Sequence, residues 1–464
     1  MNGCWDYGPL GVELLSNIKN EWWKSLTYRE DIEGIDASIL MHPKVWEASG
    51  HVENFTDPMI DCKQCKSRYR LDVLGDSLND KKKTKALNAL KERLSGNDEL
   101  LNKIEEIFAN PGDEIPFNII LEDDELGFLI LEELNCPQCG NKNTFTEARK
   151  FNLMFKTFIG PVEDSGAAVF LRPETAQGIF VNFLNVQSSS RQKIPFGIAQ
   201  IGKAFRNEIN TRNFLFRTRE FEQMEMQFFV NPSEDKKWFD YWKEIRMDWY
   251  KTLGMNVEKL RFHDHDKDEL AFYAKEAVDV EYEFPFGWGE MEGIHNRTDF
   301  DLTRHQQFSG KSLKYFDESA KEKYIPYIIE TSAGASRSFM AFLVDAYHEE
   351  EVKGEQRVVL RFHPKLAPVK AAIFPLVKKD GMPEVARKIE AELRNSLKVF
   401  YDDKGAVGRR YRRQDEAGTP YCITVDNQTM EDQTVTVRER DSMEQERVSI
   451  SKISGYILNK IHTA

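Results

Sequence analysis

Apolar side chains recur at helical spacing near the start of the chain. Within residues 11–28 they are Val12, Leu15, Ile18, Trp22 and Leu26. This spacing predicts an amphipathic helix. Residues 32–42 predict a strand that ends before Pro43. Residues 76–109 are charged but helical in pattern, and they predict an inserted helical hairpin.

From residue 147 the pattern changes to strands alternating with short helices. Two β-like runs, 196–209 and 217–230, flank a polar turn and predict an antiparallel hairpin. The pattern then predicts a helix over 234–253, a strand–turn–strand unit over 282–302, a strand over 324–334 and a helix over 335–347.

A Pro-bounded linker at 363–368 precedes the last part of the chain. Strand and helix patterns alternate beyond it and end in a final helix over 448–461. This alternation predicts a small α/β domain.

The bulk properties narrow the class of protein. The chain has 464 residues, of which 41% are apolar and 30% charged, so we expect two or three globular domains. It contains neither an apolar run of about 20 residues nor a basic region followed by an apolar run, which predicts a cytoplasmic protein without a membrane partner. The net charge of −13 argues against nonspecific coating of nucleic acid.

A local basic run stands out against this acidic background. It comprises Arg409, Arg410, Tyr411, Arg412 and Arg413. Such a run is compatible with a contact to phosphate groups, and equally with a solvated stretch of charge.

Four of the six cysteines form two Cys-x-x-Cys pairs. They are Cys62 and Cys65, then Cys136 and Cys139. In a chain without a secretion signal, such pairs favour a metal over disulfides. Two pairs fit a four-thiolate zinc site, which has no open position for a substrate and is therefore structural. The alternative is four free cysteines in the core.

Charged residues interrupt the apolar strands of the central region. They are Glu174, Arg206, Glu208, Arg219, Glu220, Glu222, Glu225, Glu290, Glu292, Glu330 and Arg337. A buried charge is costly unless it is paired or binds a ligand. Each one alone is compatible with a structural ion pair, but the whole set indicates a site that binds a cation and a polyphosphate. No GxxxxGK[ST] loop is present, so nucleotide binding of the P-loop type is excluded.

The ordered motifs resemble those of class II aminoacyl-tRNA synthetases, specifically the glycyl branch with two identical chains. Residues 11–43, ending at Pro43, are similar to the first class motif, which forms much of the dimer interface in the family. Phe205-Arg206-Asn207-Glu208 through Arg219-Glu220-Phe221 resembles the second motif, and ETSAGASRSFMAFL with Arg337 resembles the third. The strings NGCWDYGPLG, LRPETAQGIF and GRRYRRQDEAGTP look specifically glycyl.

The resemblance implies a role for individual residues. Arg206 would contact the ATP α-phosphate and the amino-acid carboxylate, and Glu208 would bind the adenine amino edge. Phe221 and Arg337 would enclose the adenine, with Arg337 also reaching the γ-phosphate. Glu290 resembles the acid that holds ATP-bound Mg²⁺. The positions that surround the glycine ammonium are matched by Glu174, Glu225, Glu330 and Ser332, and Arg206 completes the glycine site.

The chemistry of glycine recognition agrees with this assignment. Glycine has no side chain to recognise, so its pocket must bind the ammonium group and leave no room beyond the α-carbon. Carboxylates and a hydroxyl bind the ammonium, and a steric wall rejects larger amino acids.

The resemblance also implies an α+β architecture with three parts. A class II catalytic domain with an antiparallel sheet would span 1–60 and 148–362, and a Cys4 zinc and helical insertion would span 61–147. An α/β anticodon-binding domain would span 366–464, where Arg409, Arg410, Arg412 and Arg413 would face the tRNA. The implied partners are ATP with Mg²⁺, glycine, tRNA(Gly) and a second copy of the chain.

Two alternatives remain open from the sequence. A class II synthetase for another amino acid would keep the ATP residues but lack the acids of the ammonium pocket. A non-catalytic nucleic-acid-binding relative would be expected to lose the arginines that bind ATP. Arg206, Arg337 and the three acids Glu174, Glu225 and Glu330 are all present here.

Overall fold

The computed structural model describes residues 3–70, 74, 88–93, 101–102, 131–161, 168–209, 211–267, 269–271, 273–352 and 354–464. The chain divides into two compact units. The first comprises Met1–Ser49, Lys156–Arg206 and Thr211–Ala464, and the second comprises Gly50–Phe155 with Asn207–Asn210. Among the described residues, no helix has the length and apolar character needed to cross a membrane.

The helices are α1 (Pro9–Thr27), α2 (Pro43–Ala48), α3 (His51–Asn54), α4 (Ala176–Ser189), α5 (Asp235–Thr252), α6 (Phe300–Ser309), α7 (Ala335–Ala346), α8 (Met382–Leu393), α9 (Val407–Ala417), α10 (Asn427–Asp432) and α11 (Ile453–Thr463). The strands are β1 (Ile32–Gly34), β2 (Thr56–Asp61), β3 (Arg68–Arg70), β4 (Arg149–Asn152), β5 (Lys156–Phe158), β6 (Ala168–Phe170), β7 (Phe196–Phe205), β8 (Glu220–Val230), β9 (Leu260–Asp264), β10 (Glu276–Phe284), β11 (Gly287–Thr298), β12 (Tyr315–Asp317), β13 (Glu322–Tyr324), β14 (Tyr327–Gly334), β15 (Tyr347–Val352), β16 (Glu355–Leu360), β17 (Ala371–Pro375), β18 (Val399–Tyr401), β19 (Tyr421–Val425), β20 (Thr434–Glu439) and β21 (Gln445–Ser449).

A seven-stranded sheet forms the centre of the first unit. Its order is β1-β7-β8-β14-β11-β10-β9, with every neighbouring pair antiparallel except β1 and β7. The predicted antiparallel core is therefore confirmed. Helices α1, α5 and α7 contribute Trp22, Trp242 and Phe342 to the core cluster on one face. Helices α4 and α6 pack Phe183 and Leu302 into a second cluster, so both faces of the sheet are covered in part.

The C-terminal part of this unit contains a five-stranded sheet in the order β18-β17-β19-β20-β21. The pairs around β17 are parallel, whereas β19–β20 and β20–β21 are antiparallel. Helices α8 and α11 bury Ile389 and Ile457 against it. The predicted α/β character of this region is confirmed.

Three details differ from the predicted elements. The strand predicted over 32–42 is only three residues long, because the chain leaves the sheet after Gly34 and the carbonyl of Ala37 accepts a hydrogen bond from the buried Arg172. The region 282–302 includes the start of α6 rather than ending as a strand. The basic run lies on helix α9, which the sequence pattern missed because its apolar face consists of little more than Val407 and Tyr411.

The second unit contains a three-stranded antiparallel sheet in the order β3-β2-β4. Arg68 and Arg149 pair with Asp61 from the two neighbouring strands, at 2.7 and 2.5 Å. The helical hairpin predicted over 76–109 falls for the most part outside the described residues.

Candidate active site and metal centre

An irregularity in β11 directs Glu290 to the opposite face of the sheet from Glu292. Glu292 pairs with Val280 of β10 but Glu290 pairs with Glu281, so Met291 is an extra residue and forms a β-bulge. In a regular strand, Glu290 and Glu292 would share one face. Instead, Glu292 is fully buried against α5, with its Oε1 2.6 Å from Nε of Arg246. Glu290 is half-exposed.

The guanidinium of Arg337, in the first turn of α7, fixes the carboxylate of Glu290. Its Nη1 lies 2.8 Å from Oε2 of Glu290, and its Nε donates to the carbonyl of Phe216 at 3.0 Å. The guanidinium carbon is 4.3 Å from the centroid of the Phe216 ring. Burial acts to raise the pKa of Glu290, but the charge of Arg337 outweighs it and lowers that pKa.

Arg206 and Phe221 come together where β7 and β8 end. The backbone N–H of Arg206 donates to Arg219 O at 2.9 Å, which extends the hairpin beyond the last strand residue. Its Nε donates to the carbonyl of Pro173 at 3.1 Å, and its guanidinium carbon lies 5.3 Å from the Phe221 ring centroid. Arg206 therefore combines an aromatic face with a fixed orientation.

Arg337 and Glu208, the other two residues predicted to contact ATP at the adenine, have surroundings that the sequence did not predict. The ring next to Arg337 is that of Phe216 rather than Phe221. Glu208 is buried, at 9% exposed, and belongs to the second unit.

The predicted ammonium ligands lie on one face of the β8–β14 pair. Glu225 is directly opposite Ser332, and Gln227 is opposite Glu330. Since residues two apart on a strand face the same way, all four side chains share that face. Glu225 is 2% and Glu330 3% exposed. Two nearly inaccessible carboxylates on adjacent strands require partners of opposite charge or a proton.

A network of hydrogen bonds joins these acids to groups that the sequence interpretation did not include. Arg297 of β11 donates to Glu330 at 2.9 Å and to both oxygens of Asp301 at 2.8 and 3.0 Å. Gln177 of α4 uses one amide nitrogen for Glu174, at 2.9 Å, and for Asp301, at 3.0 Å. The spacing of Arg297 and Asp301, four residues apart, is the one signal in the sequence that could have indicated this pair.

The two buried carboxylates differ in ionisation. Burial opposes ionisation of Glu330, but Arg297 outweighs burial and lowers the pKa of Glu330 to about 2. For Glu225, burial and the nearby carboxylates of Glu330 and Glu174 act in the same direction and raise its pKa well above the ordinary value.

Gly293 lies beside the acids, where the sheet leaves no room for a side chain. It is opposite Ser332 on β14. A Cβ added at Gly293 would come within 2.6 Å of Cε1 of His295 and 3.4 Å of Oδ1 of Asp279. A side chain at this position would displace His295, whose Nδ1 is 3.0 Å from Oε1 of Glu330.

The four cysteines of the two pairs lie together in the second unit. Their sulfur atoms are all within 4.8 Å of one another. The Sγ atoms of Cys62 and Cys139 are 3.8 Å apart, and those of Cys65 and Cys136 are 3.6 Å apart. A tetrahedral site with Zn–S bonds of about 2.3 Å requires sulfurs roughly 3.8 Å apart. The four thiolates therefore fit such an ion.

The two pairs are built on matching turns. The N–H of Lys66 donates to Cys62 O at 2.9 Å, and the N–H of Gly140 donates to Cys136 O at 2.8 Å. Lys66 and Gly140 both adopt the left-handed conformation, with φ of 62° and 73°. Each turn thus presents one buried and one half-buried sulfur to the same point.

The arginines of the basic run differ in environment. Arg410 is buried and donates to the carbonyls of Pro375 and Gly405. Arg413 is exposed and pairs with Asp402, and Arg412 lies 3.6 Å from Asp415. Arg409 is exposed. The structure thus gives Arg410 a role inside the domain, so a contact with tRNA remains a prediction for the other three.

Comparison with curated proteins shows extensive similarity along the whole chain. It is 53% identical to a glycine–tRNA ligase of Treponema denticola, covering 99% of this chain and 92% of the relative. The glycine–tRNA ligase of Streptomyces coelicolor is 48% identical, with 99% and 93% covered. This chain belongs to the glycine–tRNA ligase family.

Three parts of the chain also match described domain families. Residues 57–153 match "Glycyl-tRNA synthetase insertion domain 1", 157–347 match "tRNA synthetase class II core domain (G, H, P, S and T)", and 370–460 match "Anticodon binding domain". The first of these ranges contains the four cysteines of the cluster, and the second contains Glu174, Glu225 and Glu330, the predicted ammonium ligands. As a member of the glycine–tRNA ligase family, the chain is a class II aminoacyl-tRNA synthetase.

The fold is shared more widely than the sequence. A prolyl-tRNA synthetase from Cryptosporidium parvum, solved with L-proline and AMP, aligns with a TM-score of 0.59 at 14% identity. The alignment covers 100% of this chain and 72% of that one. At 14% identity, this similarity shows that the two proteins share a fold and shows nothing about a shared substrate.

Proposed function

We propose that the sheet face described above activates glycine with ATP and transfers the glycyl group to the 3′ end of tRNA(Gly). The observation that carries this proposal is the cluster of buried carboxylates, with Glu225 and Glu330 2% and 3% exposed, in the same domain as Arg206 and Arg337. An ammonium group is the ligand that such a surplus of negative charge favours.

We assign to each side chain the role that its match to the synthetase motifs implies. Glu174, Glu225, Glu330 and Ser332 surround the glycine ammonium. Arg206 binds the α-phosphate and the glycine carboxylate, because its planar fork donates two directed hydrogen bonds. Phe221 and Arg337 enclose the adenine, and Glu208 binds its amino edge. Because the Phe216 ring lies 4.3 Å from the guanidinium carbon of Arg337, adenine would stack on the opposite face of that guanidinium.

The chemistry needs no nucleophile from the protein. The glycine carboxylate attacks the α-phosphorus in line, the bond to the bridging oxygen breaks and pyrophosphate leaves. The 3′-hydroxyl of the terminal ribose then attacks the carbonyl of glycyl-adenylate and AMP leaves. Arg206 and Arg337 stabilise the charge that develops on the phosphate oxygens.

Glu290 fits the role of a magnesium ligand. Its carboxylate is ionised beside Arg337, with a lowered pKa, and it is half-exposed. Mg²⁺ prefers such oxygen ligands and is usually bound through one or two carboxylates together with substrate phosphates. When bound with ATP, the ion would neutralise charge on the phosphates.

We propose zinc for the cluster of Cys62, Cys65, Cys136 and Cys139, because four thiolates with this spacing match its geometry. Elemental analysis of the purified chain should find about one zinc ion per chain. Cys62→Ser should lose the zinc, whereas the equally buried Cys422→Ser should keep it. Full zinc content in the Cys62→Ser variant would contradict the proposal.

The remaining proposals concern assembly and location. We infer a homodimer, a cytoplasmic location and the division into a catalytic domain (1–60 and 148–362), an insertion (61–147) and an anticodon-binding domain (366–464). A solution mass of a single chain would contradict the dimer, and recovery in the membrane fraction of lysed cells would contradict the location.

Exchange of labelled pyrophosphate into ATP tests the function directly, with glycine, alanine and serine supplied separately. We expect exchange with glycine alone. Exchange with alanine or serine would keep the class of enzyme and overturn the assignment of glycine. Absence of exchange with all three would favour a non-catalytic relative.

A further inference from the structure

Glu225 and Glu330 are joined by a single amide group. Nε2 of Gln227 lies 3.2 Å from Oε1 of Glu225 and 2.6 Å from Oε2 of Glu330. The two acids are diagonal neighbours across β8 and β14, because Glu225 faces Ser332 and Glu330 faces Gln227. Two buried carboxylates held this closely cannot both be ionised without a nearby positive charge.

The guanidinium of Arg297 pairs with Glu330 rather than with Glu225. Nη1 of Arg297 lies 2.9 Å from Glu330. The hydrogen bonds to Glu225 come from neutral groups, namely the hydroxyl of Thr175 and the amide of Gln227. A neutral donor stabilises a carboxylate less than a guanidinium does. Glu225 is thus the acid that the protein leaves without a strong counter-charge.

The elements packed around Glu225 add more negative than positive charge. Glu174 lies before α4 and Asp301 lies on α6, where Asp301 already shares Arg297 with Glu330. Arg172 is 2% exposed and donates its N–H groups to the carbonyls of Lys203 and Ala37, so its charge acts on Glu225 without a hydrogen bond between them. The other titratable side chains around the network are His295, Tyr273 and His305, and burial keeps His305 neutral by lowering its pKa.

We propose that Glu225 holds a proton in the empty pocket, shared with Glu330, and that the glycine ammonium group takes the place of this proton when glycine binds. The inference rests on the proposed glycine site. The balance is simple: neutral Glu225 and zwitterionic glycine become a carboxylate–ammonium pair, and one proton passes to water. No covalent bond to carbon changes.

This arrangement explains how the empty pocket is stable and still selective. Holding a proton avoids an unpaired charge at a site that is 2% exposed. The raised pKa of Glu225, caused by burial and by Glu330 and Glu174, is consistent with such a proton. Only a ligand with a cationic group can replace the proton, so a glycine analogue without an amine gains nothing from Glu225.

Calorimetric titration of the full chain with glycine measures how many protons are released when glycine binds. Heats measured in phosphate and in Tris, which differ in ionisation enthalpy, give the number of protons released per glycine bound. While the glycine ammonium stays charged, we expect release of about one proton at the acidic end of the pH range, and less as Glu225 ionises at higher pH. The Kd for glycine should fall about tenfold per pH unit as the pH rises while Glu225 is protonated. Release below half a proton throughout this range would overturn the proposal.

Two substitutions identify the group that releases the proton. His295, 3.0 Å from Glu330, is the other candidate source. The variant His295→Gln should still release one proton, and loss of the release in that variant would assign it to His295 and overturn the role of Glu225.

Thr175→Val removes a donor that favours the ionised form of Glu225, so the pH dependence of the Kd should move to higher pH. Thr175→Ser keeps the hydroxyl and should behave as the unchanged chain. Equal pH profiles for Thr175→Val and the unchanged chain would contradict the proposal. Glycine-dependent pyrophosphate exchange, measured in parallel, distinguishes the failure of this inference from the failure of the proposed function. Exchange without proton release would contradict only the inference about Glu225, whereas absence of exchange would contradict the proposed function.

Discussion

Glu225 on the central sheet and Asp415 in the C-terminal domain are both buried carboxylates, 2% and 0% exposed. Their partners differ. Asp415 receives Nε of Arg357 at 3.0 Å and two nitrogens of Arg438 at 2.9 and 3.1 Å. Glu225 receives the hydroxyl of Thr175 and the amide of Gln227. Asp415 is neutralised by guanidinium groups that hydrogen-bond to it, whereas the hydrogen bonds to Glu225 come from neutral groups and leave its charge to be balanced by a proton or a ligand.

The contrast shows which buried charges indicate function. Other protein groups also accept hydrogen bonds from the arginines of this region. Arg440 donates to the carbonyls of Gly418 and Phe362 at 2.8 Å each. Such a closed set fixes the hairpin β15–β16 and the linker to the C-terminal domain. A surplus of charge of one sign, as around Glu225, needs a partner from outside the protein.

The largest effect is expected for Arg206→Gln, on the ligand-binding side of the comparison. Loss of the charged donor that we propose for the α-phosphate should lower the rate of pyrophosphate exchange by about 10²–10³-fold. The fold should persist, because a glutamine amide can in part replace the hydrogen bond that the guanidinium donates to Pro173 O. Arg409→Gln, the same change at an exposed position, is the matched control and should leave exchange unchanged. Exchange within threefold of the original rate in Arg206→Gln would contradict the role of Arg206.

A smaller effect is expected for Arg409→Gln in aminoacylation. If this exposed arginine contacts a tRNA phosphate, its loss should raise the KM for tRNA a few-fold and reduce the salt dependence of binding by about one charge. The KM for ATP should not change. An unchanged salt dependence would show that Arg409 is a solvated charge, which is the alternative that the sequence left open.

The architecture could be predicted from the sequence because helices and strands are indicated by patterns among neighbouring residues. The helical spacing of Leu15, Ile18 and Trp22 and the β-like runs of the second motif depend on neighbouring residues, and the structure contains the corresponding elements α1, β7 and β8. The two Cys-x-x-Cys pairs also predicted their own proximity, which the cluster of sulfur atoms confirms.

The sequence could not separate structural from ligand-binding charges, because that difference depends on pairing across the fold. Among the charged residues of the hairpin, Glu220 and Glu222 pair with Lys203 and Lys19 at 2.8 and 3.0 Å, so they have structural partners. Gln177, which holds Glu174, comes from α4 and carries no local signal, and Arg297 of β11 has no sequence signal beyond its spacing from Asp301. The orientation of Glu290 depends on the bulge at Met291, which the alternation of residues does not reveal.

The most direct test of the comparison substitutes each buried carboxylate by its amide. We would measure the KM for glycine in pyrophosphate exchange and the unfolding of the chain for Glu225→Gln and Asp415→Asn. Glu225→Gln should raise the KM for glycine about ten- to a hundredfold and leave the unfolding temperature nearly unchanged, because glutamine resembles the protonated acid. Asp415→Asn should lower the free energy of unfolding of the C-terminal domain by about 3–5 kcal/mol and leave the KM for glycine unchanged. An unchanged KM in Glu225→Gln, or a raised KM with unchanged stability in Asp415→Asn, would contradict the account.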